Sequence, residues 1–269
     1  MSVTLTPLDA ALIAALGDHA VPAALGIARL LPCIAWLPYL GAGALPSRTV
    51  RVLLVLVVLV GMWPVTADLQ RPQGLPALAL AAMTEAIIGT VLGLMLALPY
   101  HAFHAVGSII DTQRGAGVGA LLDPLTGVEA TETANLLQMF SAVVFLVAGG
   151  LVPLMEAIHG SYTLVPMGGA FLPDLSSLHG FMDIVFSAAA RMAAPVLVLL
   201  FLVEVVLGVL SRFAQQLNAF SVSLALKSFL ALLAMLFYFM QVMADQVPAL
   251  WRLHPPLRAL LPGMPGMPA

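Results

Sequence analysis

The chain has 269 residues, 61% of them hydrophobic and 9% charged, with a mean hydropathy of +1.06. Soluble domains carry about a quarter charged residues, so a water-exposed globule is excluded and one integral-membrane unit is expected. The net charge of −3, with 10 lysines and arginines, leaves no basic footprint for nucleic acid, and the lone Cys33 excludes an internal disulfide framework.

The N-terminus lacks the basic region of a cleavable signal peptide, since Asp9 and Asp18 precede any lysine or arginine. A spanning helix needs roughly 20 mostly apolar residues. Six stretches qualify: about 20–41, 50–67, 77–104, 133–158, 183–210 and 217–244. The first holds Arg29, Pro32 and Pro38 and is expected to be kinked or broken. The second, VRVLLVLVVLVGMW, is the cleanest and ends at Trp63-Pro64. The third contains Glu85, and Pro99, His101 and His104 crowd its end. The fourth opens on a polar turn where Thr131 or Thr133 is suited to cap it. Arg191 and Pro195 interrupt the fifth, which also carries Glu204, and the sixth contains Lys227. Residues 159–182 read as an ordered external loop, and the proline-rich end after Asp245 cannot be one continuous helix. Loop arginines do not settle the orientation: Arg48, Arg51, Arg114 and Arg212 on one side face Arg71, Arg252 and Arg258 on the other.

Between the third and fourth stretches lies AVGSIIDTQRGAGVGALLDPLTG, Ala105 to Gly127. It holds Asp111, Gln113, Arg114 and Asp123, with Gly115, Gly117 and Gly119 at every second position. Such glycine density lets a backbone adopt positive φ and pass close to its neighbours. Irregular backbone at membrane depth survives only where protein buries it or where it lines a watery path. Two readings follow from the residues: a working, pore-facing segment, or a connector that simply packs.

A charge in mid-bilayer costs at least about 2.5–3.5 kcal/mol on insertion scales. Glu85, Gly89 and Gly93 share one helical face, which invites close approach of another helix. Glu204, Gly208 and Arg212 repeat that arrangement, and Ser223, Lys227 and Ala231 share a stripe on the last span. If the last two spans form a hairpin turning near Gln215-Gln216, Glu204 and Lys227 face each other as a buried ion pair. The alternative is that each charge reaches another subunit or water. His101 and His104 form an HxxH without accompanying carboxylates or cysteines and read as interfacial histidines rather than a metal site. No nucleophile elbow or dinucleotide fingerprint is present, so no catalytic, cofactor-binding or metal-binding residue is assigned.

Several motifs, taken in order, resemble one family. They are Glu85-x-x-x-Gly89-x-x-x-Gly93, then Gly107-Ser-Ile-Ile-Asp111-Thr-Gln113-Arg114-Gly115, Asp123-Pro124 and Gly149-Gly150. Ser161-Tyr162 with Pro166, and Ser211-Arg212 to Asn218-x-Phe220 with Lys227, follow. This series resembles the SctT/SpaR/FliR family of type III export-apparatus proteins from about Arg29 to Met240, and its wording is nearer the virulence injectisome branch than the flagellar one. One departure is Ala225, where the family pattern would place a proline. The resemblance implies an all-α, multi-helix membrane protein of the bacterial inner membrane with helical hairpins. Its first part would be SctR-like and its last hairpin, 183–244, SctS-like, with core helices over about 20–210. Residues 1–245 would form one unit, with 246–269 a proline-rich tail. It also implies a non-enzymatic subunit of an export gate, without cofactor or metal, that passes unfolded secreted polypeptides. SctR-like and SctS-like subunits would be its partners, with SctU-like and SctV-like components nearby. A plug is expected within the loop 105–127, at Gly107, Asp111, Gln113, Arg114, Gly115, Gly117, Gly119, Asp123 and Pro124. Glu85, Glu204, Arg212 and Lys227 are expected as buried interface charges, and Gly89, Gly93 and Gly208 as helix-packing positions. The competing expectation is an ion-coupled or small-molecule secondary transporter with Glu85 and Glu204 as its proton or ion sites.

Overall fold

The computed structural model describes residues 7–41, 43–45, 47–63, 74–116, 131–169, 175–213, 219–239, 241, 242 and 245. Regular structure among them is entirely helical. The helices are α1 (Pro7–Trp36), α2 (Arg48–Gly61), α3 (Leu75–Arg114), α4 (Glu132–Val147), α5 (Leu151–Leu164), α6 (Leu175–Phe213) and α7 (Ala219–Ala234). A π-helical turn, Met235–Phe239, continues α7.

By length and hydropathy α1, α3, α6 and the α7 segment Val222–Phe239 can each cross a membrane, and α4 with α5 adds a fifth crossing if the two count as one broken span. Among the described residues four or five candidate spans therefore stand where six were expected. The reasons are local. Helix α2 has 14 residues, or about 21 Å at 1.5 Å per residue, short of the roughly 30 Å hydrocarbon core. The stretch 133–158 divides because Gly149 adopts φ +81°. The Gly149 N–H then bonds to the Leu146 carbonyl and the Gly150 N–H to that of Phe145, closing a Schellman turn.

Proline placement brings two further corrections. Pro22 and Pro32 lie inside a continuous α1, so stretch 20–41 is not broken at Pro32; its helix ends instead at Trp36, before Pro38. Neighbouring helices in an apolar medium can accommodate the carbonyl that a proline leaves without a donor. The expected external loop 159–182 is largely helical too, since α5 runs to Leu164 and α6 begins at Leu175. The tail 246–269 and the hairpin turn at Gln215-Gln216 lie outside the described residues.

The fold divides into two compact units. The described residues of Met1–Ala97 and Leu151–Leu178 form the first, and those of Leu98–Gly150 and His179–His254 the second. In the first, α1 buries Leu25, Leu30, Cys33 and Ile34, a stripe with helical period, together with Leu37 just beyond its end, Val55 and Leu59 of α2 and Leu154 and Ile158 of α5. In the second, the end of α3 packs against α4 in antiparallel fashion. Tyr100 meets Phe145 with ring centroids 5.7 Å apart, His101 meets Gln138 at 3.3 Å, and the Gly107 backbone abuts Thr133 and Ala134. Helix α6 buries Val185, Ala189, Ala193, Val196 and Leu200 while its other side exposes Val198, Phe201, Leu202, Val205, Val206 and Val209. That apolar exterior suits lipid or other protein, not water.

Candidate functional site

Among the described residues three polar clusters interrupt the apolar helices. The first lies in unit one, where α3 meets α1. Gly89 and Gly93 have no Cβ, and this lets the α1 backbone come close at Arg29 and Cys33, four residues apart on both helices. A Cβ at position 93 would sit 2.6 Å from the Cys33 carbonyl oxygen, and one at 89 would overlap that of Arg29. The same face carries Glu85. Its Oε2 accepts from the Arg29 Nε at 2.6 Å, its Oε1 accepts the Gly168 N–H at 3.0 Å, and both side chains are fully buried. The Arg29 guanidinium donates further to the Ser161 and Val165 carbonyls, both at 2.9 Å, so it closes the C-terminus of α5 as well. It also lies 4.2 Å from the centroid of the Tyr162 ring. Every charge here has its counterpart within the unit.

The second cluster stands at the two ends of the glycine-rich segment. Helix α3 continues through Gly107, Asp111, Gln113 and Arg114, nine residues beyond the expected start of irregular backbone at Ala105. Phe103, Val106, Ile110 and Asp111 extend its buried stripe, a periodicity that the nearby glycines obscure. The helix stops at Gly115, φ +82°, where Gly115 donates its N–H to the Thr112 carbonyl and Ala116 donates to that of Asp111. The Asp111 carboxylate is buried. One oxygen accepts the N–H groups of Thr133 and Ala134 at 3.0 and 3.2 Å, and the other meets Arg114 at 2.7 Å. These N–H groups belong to the first turn of α4, whose own N-cap residue Thr131 makes no side-chain capping bond. Neither Thr131 nor Thr133 caps α4, as the sequence suggested; Asp111 does so from another helix. Gly117, Gly119, Asp123 and Pro124 lie outside the described residues.

In the third cluster the Lys227 Nζ lies 3.0 Å from the Glu204 Oε2, as the hairpin symmetry predicts. The pair is only half buried, however: the Glu204 side chain is 55% exposed and that of Lys227 8%. Gln113 donates to the same Glu204 oxygen at 3.4 Å. Arg212 is exposed and a Cβ on Gly208 would touch nothing. Of the four charges expected to be buried, the chain alone buries Glu85 and Lys227, because Glu204 and Arg212 lie on the outward face of α6. The unequal exposure sets an expected order of effects. Glu204→Ala, which leaves a buried ammonium unpaired, should lower the melting temperature in detergent more than Lys227→Met, whose effect is about 1 kcal/mol or less. Equal losses would contradict the asymmetry.

Among the described residues no group of three or more His, Cys, Asp or Glu is placed to hold a metal ion. Arg29, Ser161, Gly168 and Thr133 are site partners that the sequence did not reveal. Separations of 56 residues for Arg29–Glu85 and 22 for Thr133–Asp111 carry no local signal.

Helices of spanning length, inward-facing charge clusters and extensive outward apolar faces define a multi-pass α-helical membrane protein. Residues 20–253 match the family described as bacterial export proteins, family 1. The chain belongs to this family, the SctT/SpaR/FliR family of type III export-apparatus proteins. It is 42% identical over 225 residues to the surface presentation of antigens protein SpaR of Salmonella typhimurium, covering 84% of this chain and 85% of that one. It is 30% identical over 241 residues to the Yop proteins translocation protein T of Yersinia pestis, covering 87% and 92%. To the flagellar biosynthetic protein FliR of Bacillus subtilis it is 30% identical over 154 residues, covering 55% and 59%.

Proposed function

We propose that the chain is a non-enzymatic core subunit of a type III secretion export gate in the bacterial inner membrane. With SctR-like and SctS-like subunits it forms the pore through which unfolded secreted polypeptides leave the cytoplasm, and SctU-like and SctV-like components adjoin it. The family match across nearly the whole chain carries this reading. Higher identity over more of the chain with SpaR than with FliR supports the injectisome branch. In this reading residues 1–245 act as one gate unit, its first part SctR-like and its last hairpin, 183–244, SctS-like, followed by a proline-rich tail. The glycine-rich segment between α3 and α4 in the chain helps to close the pore.

The secondary-transporter reading is disfavoured by Glu85. A proton or ion carrier needs a carboxylate that can exchange its partner with water. Both Glu85 oxygens are instead held, by Arg29 and by the Gly168 N–H, at zero exposure. Affinity purification of the tagged chain from its own membranes tests the proposal. The expected result is co-purification of two smaller hydrophobic subunits in unequal stoichiometry. A homo-oligomer free of such partners that binds a small solute would overturn it.

A further inference from the structure

Asp111 and its surroundings do more than end a helix. The segment that leaves α3 at Gly115 returns at Thr131, and both of its ends are held by one residue. The Asp111 main-chain carbonyl accepts from Ala116 at the departing end. Its side-chain carboxylate accepts from Thr133 and Ala134 at the returning end. Arg114, within the same turn, balances the charge. The idle Thr131 cap shows that α4 takes its capping acceptor from α3. Gly107, one turn earlier on the same face, brings the two backbones into direct contact.

We propose that Asp111 is a positioning residue for the gate: its carboxylate fastens the end of α3 to the first turn of α4 and so fixes the neck that brackets the glycine-rich segment. A carboxylate serves better than a neutral cap. It accepts two N–H groups at a helix N-terminus, where the dipole favours negative charge, and a guanidinium on its other oxygen. Because Gly107 keeps the helices in contact, loss of the clasp frees the neck without separating the hairpin. This inference rests on the reading of the segment as a pore plug.

The test uses the full chain in its assembled export complex. Spin labels at Thr112→Cys and Asn135→Cys, both exposed and flanking the neck, report its width by pulsed dipolar spectroscopy, and Cys33 is buried. The intact neck should give one narrow distance distribution. Asp111→Ala should broaden it, with the open population rising roughly tenfold or more for the charge-assisted bonds lost. Small-ion leak through the complex should rise with it, at unchanged subunit stoichiometry. Asp111→Asn, which keeps one acceptor, should fall between. An unchanged distribution in Asp111→Ala overturns the clasp. A broadened distribution with normal leak and secretion upholds the clasp and sinks the plug reading instead. Should Asp111→Ala and Asp111→Asn both fail to assemble, Asp111 is a folding residue and the proposal is overturned.

Discussion

Arg29→Met is expected to cost the folded chain about 3–5 kcal/mol, seen as a steep fall in membrane accumulation and in the melting temperature in detergent. Methionine retains much of the apolar stem but strands the Glu85 carboxylate, which keeps only the Gly168 N–H. It also removes the Arg29 donor to the Val165 carbonyl and one of the two donors to that of Ser161, at the end of α5. The double variant Arg29→Met with Glu85→Leu should recover part of the loss, since no lone charge then remains. Recovery stays incomplete, because the Val165 carbonyl and the Gly168 N–H still lack partners, whereas the Ser161 carbonyl keeps the Val165 N–H. The charge swap Arg29→Glu with Glu85→Arg should not rescue at all. It restores the ion pair on paper while turning a carboxylate towards carbonyl oxygens and a guanidinium towards an N–H. Wild-type melting of Arg29→Met, or full rescue by the swap, would show that the cluster is a simple ion pair and not a junction of three segments.

Gly89→Leu should be as damaging, by another route. Its Cβ alone would overlap the Arg29 carbonyl, an α1 backbone atom that cannot rotate away as a side-chain tip can. Helix α1 must then move off α3, and overpacking of this kind costs about 1–3 kcal/mol or more before the rest of the leucine is placed. Even Gly89→Ala should be destabilising, although alanine is the better helix former by about 1 kcal/mol. Gly208→Ala supplies the internal comparison: nothing lies within 4 Å of the added methyl group, so the isolated chain should be unharmed or slightly more stable. If the two alanine variants melt alike, the seam is not tight. Displacing α1 also draws Arg29 from Glu85, so effects at Gly89 and Arg29 should be strongly non-additive.

These positions show how far the sequence could be read. The shared face of Glu85, Gly89 and Gly93 was legible because helical geometry alone makes it, and the structure puts a close helix crossing there. Its ionic partner was not legible, since nothing local singles out Arg29 among the arginines. Glu204 and Lys227 could be paired from symmetry about a hairpin turn, but their unequal exposure depends on how α6 rotates, which sequence spacing does not determine. The glycine run misled about Asp111. Positive φ is used at Gly115 alone among the described glycines of that run, while Gly107 serves helix contact inside α3. Membrane-span counting overshot at α2 and α4 because hydropathy records composition, not where a glycine turn or a short helix divides it.

Cys33 gives the α1–α3 seam a built-in gauge. The only thiol of the chain is fully buried, with its backbone against Gly93. Alkylating reagents act on solvated thiolate, so the intact protein should be chemically silent towards them. Any variant or assembly step that parts the two helices would write its history there as a covalent mark, readable by mass without introducing a single label.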